Sequence, residues 1–448
     1  MRIDRRTLLK GLGAAALTPA IARCAGRVPG PTSVTPAVLR DRVKTGVVWM
    51  QENRSFDHVF GSVSLLEGRT DVDGLLPGMS NPLSDGTAVP IQLADKSCVA
   101  DPNHGWNASH SQFDGGKNDG FVRVHESEYG VDEAHRVMGY LDRSMQPATY
   151  ALADRYALCQ RWFASVMGPT WPNRFFSLLA SSAGGEGNDV LSDKTLPTLY
   201  SRLDDAGVHW ADYYGNLPFS MLLPNHSIEQ PEYQPLDTFF DAAKSGTLPP
   251  FVHLDPIYGM NDDHPPAHPM AGQILIASIY EALAQSPQWG ECLLVVYYDE
   301  HGGFFDHVAP PTTVDERPDL EQLGFRIPAL VCGPYVKQQV SSLELEHCSL
   351  IASVLRQHEL EPLNDRVAQS NDIWSLLDEQ LLLDKTPLPP IKLAPIAEDD
   401  AVIYAPECSN AAGIGLHVPA TFVPPTGQPE LDAFADAHPS TKDGRKTA

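Results

Sequence analysis

Two apolar, strand-like runs constrain this chain more than any other feature, because each ends directly in a turn of polar side chains. The runs are residues 43–50 and 292–298. The side chains that follow them are Glu52, Asn53, Asp299 and Glu300. In α/β proteins the chemistry is concentrated where buried strands end, so we expect both turns to contribute to one site.

The other strand-like runs, at residues 208–213, 251–254 and 327–332, alternate with segments of helical periodicity. The expected helices lie near residues 146–164, 173–182, 196–206, 271–285, 348–360 and 371–380. This alternation predicts an α/β fold. The candidate site residues are spread along the chain, and a shared site needs that span in one unit, so we expect one catalytic domain.

The N-terminus is typical of a targeting signal. The pair Arg5-Arg6 precedes a mildly apolar stretch, and small residues follow up to Ala22. This pattern resembles a bacterial Tat signal, and an ordinary amphipathic helix is the weaker alternative. We therefore expect export by the Tat machinery to the periplasm or the outside of the cell. Arg23 stands where a lipoprotein signal has a small residue, so we expect release rather than lipid anchoring at Cys24.

These signals divide the chain into three expected parts. They are a Tat signal peptide over residues 1–22, a catalytic domain over residues 23–393, and an irregular, partly mobile tail over residues 394–448 that is rich in Pro, Ala and Asp.

The net charge of −25 and the pI near 4.9 argue against nucleic acid and anionic membranes as partners. Beyond the leader, no segment approaches the roughly 20 apolar residues of a stable membrane span. Cys292 and Cys332 lie in strand-like runs and are interpreted as buried core residues. Export permits disulfides, and the sequence leaves the pairing open among Cys98, Cys159, Cys348 and Cys408.

The two acidic turns supply hard oxygen ligands, which suit a divalent cation that polarises a phosphoryl or carbonyl oxygen. Their side chains are Glu52, Asn53, Asp299 and Glu300. Solvated surface turns are the alternative for either turn taken singly. Their matching positions after two strands favour one cation site, and the sequence does not identify the metal.

Three further segments are candidates for the same site. The loop that begins at residue 101 holds His104 and His110, which could bind a phosphoryl oxygen or a metal, or simply be solvated. Thr170 lies between two prolines at the expected start of a helix, where an anion is favoured and a metal could activate a nucleophile; plain helix capping is the alternative. Residues 261–268 hold two Asp and two His that could close the site.

Together these segments resemble the bacterial phosphoesterase family that contains the phosphatidylcholine-preferring phospholipases C and an acid phosphatase branch. Residues 52–61 look like the family's opening signature, with Val59 where an aromatic is usual, and residues 168–174 and 299–308 are similar to its second and third motifs. The resemblance covers roughly residues 44–378. It implies an alkaline-phosphatase-like α/β fold, with a central, mostly parallel sheet and helices on both faces.

The resemblance also implies roles for individual residues. One divalent metal ion would be held by Glu52, Asn53, Asp299 and Glu300. Thr170 would be the nucleophile and form a phospho-threonine that water later hydrolyses. His104 would stabilise the transferred oxygens, His264 would act near the leaving group, and His110 and His301 have less certain roles.

The expected activity is that of an exported, metal-dependent phospholipase C on phosphatidylcholine-type phosphodiesters. Thr170 favours this activity, because the family's phospholipases resemble this chain in having Thr there, whereas its acid phosphatase branch uses Ser. A secreted acid phosphatase that cleaves small phosphomonoesters is the first alternative, and a catalytically silent exported binding protein is the second. The chain ends soon after its catalytic region, so we expect no extension domain of the kind found on the larger haemolytic members.

A choline head group would need aromatic faces around its quaternary ammonium. The aromatic residues near the motifs are Trp49, Trp106, Trp171, Tyr213 and Tyr214. Each of them is equally well explained by core or loop packing, so the sequence leaves the head group open.

Overall fold

The structure is a computed structural model that describes residues 34–396 and 398–408. Its strands are β1 (Thr45–Gln51), β2 (Ser80–Pro82), β3 (Ala88–Pro90), β4 (Gln92–Leu93), β5 (Gly139–Tyr140), β6 (Ala157–Cys159), β7 (Trp210–Tyr214), β8 (Tyr233–Pro235), β9 (Phe251–Asp255), β10 (Cys292–Tyr298), β11 (Ala329–Cys332) and β12 (Gln339–Ser341). Eight of them form one sheet in the order β12-β6-β11-β10-β1-β9-β7-β8. The pairs β2-β3 and β4-β5 form two small separate sheets.

The central sheet is mostly parallel. Strands β12 and β6 run parallel, as do all neighbours from β10 through β1, β9 and β7 to β8, whereas β11 runs antiparallel to both β10 and β6. Every residue of β9, β10 and β11 is buried. Successive side chains of a strand point to opposite faces, so both faces of the sheet are covered. The expected α/β class with a mostly parallel sheet is confirmed.

The helices are α1 (Pro36–Arg42), α2 (Phe56–Glu67), α3 (Trp106–Phe113), α4 (Phe121–Tyr129), α5 (Pro147–Arg155), α6 (Thr170–Leu179), α7 (Leu199–Asp205), α8 (Leu236–Ser245), α9 (Pro269–Ala284), α10 (His347–Gln357), α11 (Asp365–Gln369), α12 (Glu379–Asp384) and α13 (Asp400–Ile403). They pack in two main groups: α9 contacts α5 and α8, while α10 contacts α1, α6, α7 and α11. Helix α9 is apolar almost all round and buried over nearly its whole length, as expected of a helix enclosed by other elements.

Two of the expected helices were wrong in extent. The helix expected at residues 146–164 ends at Arg155, because residues 157–159 form β6 and pair with β11 and β12. Pairing in a buried sheet thus overrides the helical preference of this Ala- and Leu-containing segment. Residues 371–380 are not one helix, because the side chain of Asp378 accepts hydrogen bonds from the backbone N–H of Gln380 and Leu381 and so begins a new helix, α12.

Some expectations concern residues at the two ends of the chain. The expected leader, residues 1–22, and Cys24 lie outside the described residues, as does the tail from residue 409. The expected domain boundaries therefore stay predictions. Within the described part of the chain, no helix is both long and apolar enough to span a bilayer.

One disulfide joins Cys98 to Cys408. The described thiols of Cys159, Cys292, Cys332 and Cys348 are buried and unpaired, which confirms the core assignment of Cys292 and Cys332. Because 310 residues separate the two joined cysteines, the bond closes a loop that spans most of the domain.

We expect the C98S/C408S double variant to unfold at a lower temperature than the wild type. A disulfide that closes a long loop reduces the entropy of the unfolded chain, and its loss typically costs about 2–5 kcal/mol. Calorimetry with and without a thiol reductant measures the effect. Reductant should lower the melting temperature of the wild type to that of the variant and leave the variant unchanged, and equal melting temperatures without reductant would contradict the expectation.

Candidate active site

The two acidic turns meet because β1 and β10 are paired in register and end together. Gln51 is the register partner of Tyr298, so Glu52 and Asp299 are the next residues at the same edge of the sheet. The backbone N–H of Asn53 donates to Asp299 Oδ1 over 2.8 Å, which ties one turn to the other. Parallel strands that end level therefore bring side chains separated by almost 250 residues into contact.

The backbone of both turns is locked by two left-handed residues. Asn53 has φ of 62°, which Asn tolerates better than most residues, and Gly302 has φ of 63°. A Cβ on Gly302 would lie 2.0 Å from the carbonyl oxygen of Asn53, so only glycine permits this close approach. The orientation of Asn53 is thus set by the backbone.

Thr170 is presented to the turns by the first residue of α6. The preceding loop is fixed by the side chain of Asn173, which accepts from Val166 N–H over 2.8 Å and donates to the carbonyls of Val166, Gly168 and Pro169. The Thr170 hydroxyl donates to Asn53 Oδ1 over 3.3 Å. The expected helix start is confirmed, and the structure brings Thr170 to Asn53.

His104 and His264 flank the Asn53 amide from the other side. Their Nδ1 atoms lie 2.7 Å and 2.6 Å from the carbonyl oxygens of Pro102 and Pro265, and because a carbonyl only accepts, each Nδ1 carries the proton. Their Nε2 atoms both lie 3.1 Å from the same atom of the Asn53 amide. Both imidazoles thus present Nε2 to the site.

The Asn53 amide can be oriented in two ways. With its oxygen toward the carboxylates, that oxygen lies 2.7 Å from Glu300 Oε1 and 3.3 Å from Asp299 Oδ2, and the nitrogen faces the two imidazoles. Acceptor oxygens at such distances need a cation or a proton between them. With the amide reversed, its nitrogen donates to both carboxylates and its oxygen accepts from both Nε2 atoms. The first orientation fits a site that holds a cation while both Nε2 atoms accept, and the reversed one fits imidazoles that donate from Nε2.

The carboxylates are also electrostatically suited to a cation. Burial raises the pKa of Glu300 to about 7, and burial together with the neighbouring Glu300 raises the pKa of Asp299 to about 6. Burial alone would lower the pKa of His104, yet the negative charges of Glu300 and Asp101 raise it to about 9. Acids that are this costly to ionise together are stabilised in their charged form by a divalent ion.

Glu52 joins this group through its charge and through Arg174. Burial raises its pKa well above the usual value, Arg174 opposes that rise, and the charges of Asp299 and Glu300 add to it. Arg174 donates to Glu52 Oε1, whereas Glu52 Oε2 is buried without a hydrogen-bond partner among the described residues. An unpartnered, buried carboxylate oxygen beside other hard oxygen atoms fits a cation ligand. The residue set predicted from the sequence is therefore suited to a metal.

Among the described residues, three groups of three His, Asp or Glu have ligand atoms within 4.8 Å of one another. They are Asp101, His104 and His264; Asp57, Asp306 and His307; and Asp212, His253 and Asp255. The carboxylates of Glu52, Asp299 and Glu300 are linked instead through Asn53, Arg174 and the backbone. Asp101, which the sequence analysis did not select, thus lies beside both imidazoles.

The two remaining candidate histidines have different surroundings. His110 bonds the carbonyl of Trp106 within α3 and packs against its ring at a tilt of 37°. His301 is buried, contacts Glu300 Oε2 at 3.2 Å and bonds Gln112, and burial lowers its pKa well below the usual value. His301 therefore contacts Glu300 and forms no hydrogen bond with the Asn53 amide among the described residues. His110 makes its hydrogen bond within its own helix.

Sequence reasoning missed His347, whose Nε2 lies 2.7 Å from the carbonyl oxygen of Asp299. It stands at the start of α10, and no local signal in the sequence connects it with a turn almost 50 residues earlier.

An open cavity of about 710 Å³ leads to the site. His104 and Pro169, the residue before Thr170, line it. Its wall also carries the aromatic side chains of Trp106 and Tyr129 and three carboxylates, those of Asp101, Glu128 and Glu186. Of the five aromatics considered for a choline pocket, Trp106 lines this cavity, whereas Trp49, Trp171 and Tyr213 are buried.

A second acidic cluster near the sheet is an ion-pair network. Arg326 is fully buried and donates to Asp57 and to Asp306, and His307 Nδ1 lies 2.6 Å from Asp57 Oδ2. Burial alone would lower the pKa of His307, but its bond to Asp57 raises it to about 9. The guanidinium thus supplies a buried positive charge to both carboxylates.

The comparisons with known proteins agree with the motifs. The family model described as Phosphoesterase family matches residues 43–361. Non-specific phospholipase C1 of Arabidopsis thaliana is 32% identical over 389 residues, which are 77% of this chain and 71% of that protein. Phospholipase C A of Mycobacterium tuberculosis is 29% identical over 399 residues, which are 73% of this chain and 75% of that protein.

The chain is also similar to a solved structure of an alkaline phosphatase superfamily protein from Vibrio parahaemolyticus. The identity is 13%, the TM-score is 0.34, and the match covers 51% of this chain and 64% of the other.

The ion pair of His307 and Asp57 should make stability depend on pH. A raised pKa in the folded protein means that the pair stabilises fully below about pH 6.5 and loses its effect as the pH rises through about 9. The contribution is at most about 3 kcal/mol. Denaturant unfolding of the wild type and H307Q should show a difference that shrinks between these two pH values, and a difference that is independent of pH would contradict the assignment.

Proposed function

Because the chain belongs to the Phosphoesterase family, we propose that it is an exported, metal-dependent phospholipase C that hydrolyses phosphatidylcholine-type phosphodiesters through Thr170. It is a hydrolase that acts on phosphoric ester bonds, as the family and its relatives named phospholipase C indicate. The substrate, the metal dependence and the export are the parts that are proposed. The catalytically silent alternative has no support in a site that keeps its hydroxyl, carboxylates and imidazoles together.

One observation carries the proposal. The Thr170 hydroxyl bonds Asn53, and the same Asn53 amide contacts Asp299, Glu300, His104 and His264. A nucleophile, oxygen ligands for a cation and two imidazoles thus converge on one side chain. Phosphoryl transfer requires positioning and charge stabilisation around the transferred group, and this arrangement supplies both.

In the first step Thr170 would attack the phosphorus. The bond from Thr170 Oγ1 to phosphorus forms as the hydroxyl proton passes to solvent water, and the bond from phosphorus to the glycerol oxygen breaks. His104 would donate a hydrogen bond from Nε2 to a phosphoryl oxygen, and His264 would supply a proton to the departing diacylglycerol. A divalent ion held by the four oxygen-bearing residues would lower the pKa of the attacking hydroxyl and neutralise charge.

In the second step water would hydrolyse the phospho-threonine. The new bond forms between the water oxygen and phosphorus, the bond to Thr170 breaks, and the phosphorylated head group leaves while Thr170 Oγ1 takes a proton back from solvent water. His264, having given up its proton in the first step, would accept one from that water. The reaction consumes one water and returns the site to its starting state.

The residues that line the cavity favour a substrate with a cationic head group. Trp106 and Tyr129 offer aromatic faces, and the three carboxylates of Asp101, Glu128 and Glu186 add negative charge. Aromatic faces with nearby carboxylates attract quaternary ammonium groups and repel anionic ones. Phosphatidylcholine therefore fits this wall better than an anionic phospholipid does.

Export has two independent supports. The pair Arg5-Arg6 and the small residues near Ala22 resemble a Tat signal. The Cys98–Cys408 disulfide is of a kind that persists in oxidising compartments.

We expect T170A to lose at least about a thousandfold in turnover of phosphatidylcholine, because the nucleophile is removed. T170S should retain measurable activity, since it keeps the hydroxyl. Two activities should be measured side by side: the release of diacylglycerol from phosphatidylcholine and the release of inorganic phosphate from a simple phosphomonoester. Turnover of the monoester alone would assign the protein to the acid phosphatases, and full activity of T170A would reject the nucleophile.

Metal dependence is tested by elemental analysis of the purified protein before and after chelation. We expect about one divalent ion per chain, loss of activity on its removal and recovery on its return. E300Q should bind less metal, because an amide is a weaker ligand than a carboxylate. D306N is the matched control, since it removes an equally buried carboxylate that pairs with Arg326, and it should keep the metal. Full activity of chelated protein would contradict the proposal.

A further inference from the structure

A buried line of charges lies behind Glu52, and the proposed mechanism does not use it. We propose that Arg174 and Asp255 are positioning residues for the cation site: Arg174 holds one oxygen of Glu52, and Asp255 holds Arg174. The inference rests on the proposed function, because it takes Glu52 as a cation ligand.

Arg174 fixes Glu52 through a single oxygen. Its Nε and Nη2 lie 3.1 Å and 3.0 Å from the same atom, Glu52 Oε1. Both nitrogens thus contact the same carboxylate oxygen and leave the second one, Oε2, without a hydrogen bond from the guanidinium. That second oxygen has no hydrogen-bond partner in the part of the chain that the structure describes. The guanidinium thus decides which oxygen is offered to the cation.

Arg174 is itself buried. It is 1% exposed, and its guanidinium carbon lies 5.6 Å and 5.1 Å from the ring centres of Phe219 and Tyr258. Its Nη1 lies 3.3 Å from Asp255 Oδ1. A buried guanidinium between two carboxylates and two aromatic faces has one favourable position.

Asp255 is anchored by the sheet. It is the last residue of β9, the strand beside β1, and Trp49 is the register partner of Leu254. Its Oδ2 accepts from Phe219 N–H over 2.8 Å, and its Oδ1 accepts from the Tyr258 hydroxyl over 2.5 Å. The position of Asp255 therefore follows from strand register, and Arg174 transmits it to Glu52.

The cluster behind Asp255 supports it from the core. His253 Nδ1 lies 3.8 Å from Asp255 Oδ2 and 3.3 Å from Asp212 Oδ2. Both oxygens of Asp255 already accept hydrogen bonds, one of them from Arg174 as well. Asp255 thus acts as a support for the guanidinium rather than as a metal ligand.

The test compares the wild type with variants in their affinity for Mn²⁺. Each full-length protein is stripped of metal and titrated with Mn²⁺, and the concentration of free Mn²⁺ is measured by electron paramagnetic resonance. D255N keeps the shape of the side chain and removes the charge that holds Arg174. Losses of residues that orient metal ligands typically weaken metal binding 10- to 100-fold, and we expect a change of that size in the dissociation constant. R174K keeps the positive charge but loses the planar guanidinium that contacts Glu52 through two nitrogens, so we expect it to bind Mn²⁺ more weakly as well.

A variant with a smaller change keeps the test informative if D255N or R174K does not fold. Y258F removes only the hydroxyl that bonds Asp255, and we expect it to weaken Mn²⁺ binding about two- to fivefold. D306N is the control: it breaks a buried carboxylate–arginine pair away from Glu52 and should leave the Mn²⁺ dissociation constant unchanged.

A second readout separates positioning from plain stability. Mn²⁺ raises the melting temperature of any protein that binds it only when folded, and the rise depends on affinity. The rise should shrink in D255N and Y258F and stay that of the wild type in D306N. A residue that only stabilises the fold would lower the melting temperature equally with and without Mn²⁺.

The outcomes distinguish this inference from the proposed function. If the wild type itself binds no Mn²⁺, the cation site fails, and this inference fails with it. If the wild type binds and the D255N, R174K and Y258F variants that fold bind equally well, the positioning role is rejected while the cation site stands. Weakened binding in these variants, with unchanged binding in D306N, supports the role.

Discussion

The site depends on the register of two parallel strands. Gln51 and Tyr298 are partners at the ends of β1 and β10, so the chain leaves the sheet at the same level in both places. The Asn53 N–H bond to Asp299 and the close approach of Gly302 to the Asn53 carbonyl then fix one turn against the other. A slip of one residue would send each acidic side chain to the opposite face. Hydrophobic pairing in the core thus sets the chemistry at the edge.

The cost of this arrangement is the burial of charge. Glu52, Asp299 and Glu300 are all fully buried, and burial raises the pKa of each. Isolated buried carboxylates would take up protons, so their ionised form needs positive charge close by. Arg174 supplies one such charge permanently, and a divalent ion would supply the rest. The guanidinium therefore limits how much of the compensation must come from a bound metal.

The sequence was sufficient for features whose signal is local. The apolar runs of β1 and β10 predicted two adjacent turns, and the prolines around Thr170 predicted the start of a helix. It was insufficient where tertiary contacts decide. Residues 157–159 are helical by composition, yet they complete the sheet as β6. Asp255 looks like an ordinary strand-end acid, because its importance comes from a guanidinium 81 residues away in the chain.

The number of hydrogen-bond donors distinguishes a structural acidic cluster from a functional one. In the cluster of Asp57 and Asp306, Arg326, His307 and backbone N–H groups supply donors to all four carboxylate oxygens. At the sheet edge, Glu52 Oε2 has no hydrogen-bond partner among the described residues. Asp299 Oδ2 and Glu300 Oε1 face the Asn53 amide. Both clusters combine buried carboxylates with a buried arginine. The first is neutralised from within, and the second still requires positive charge, which is why the second is where a cation and a phosphoryl group can be bound.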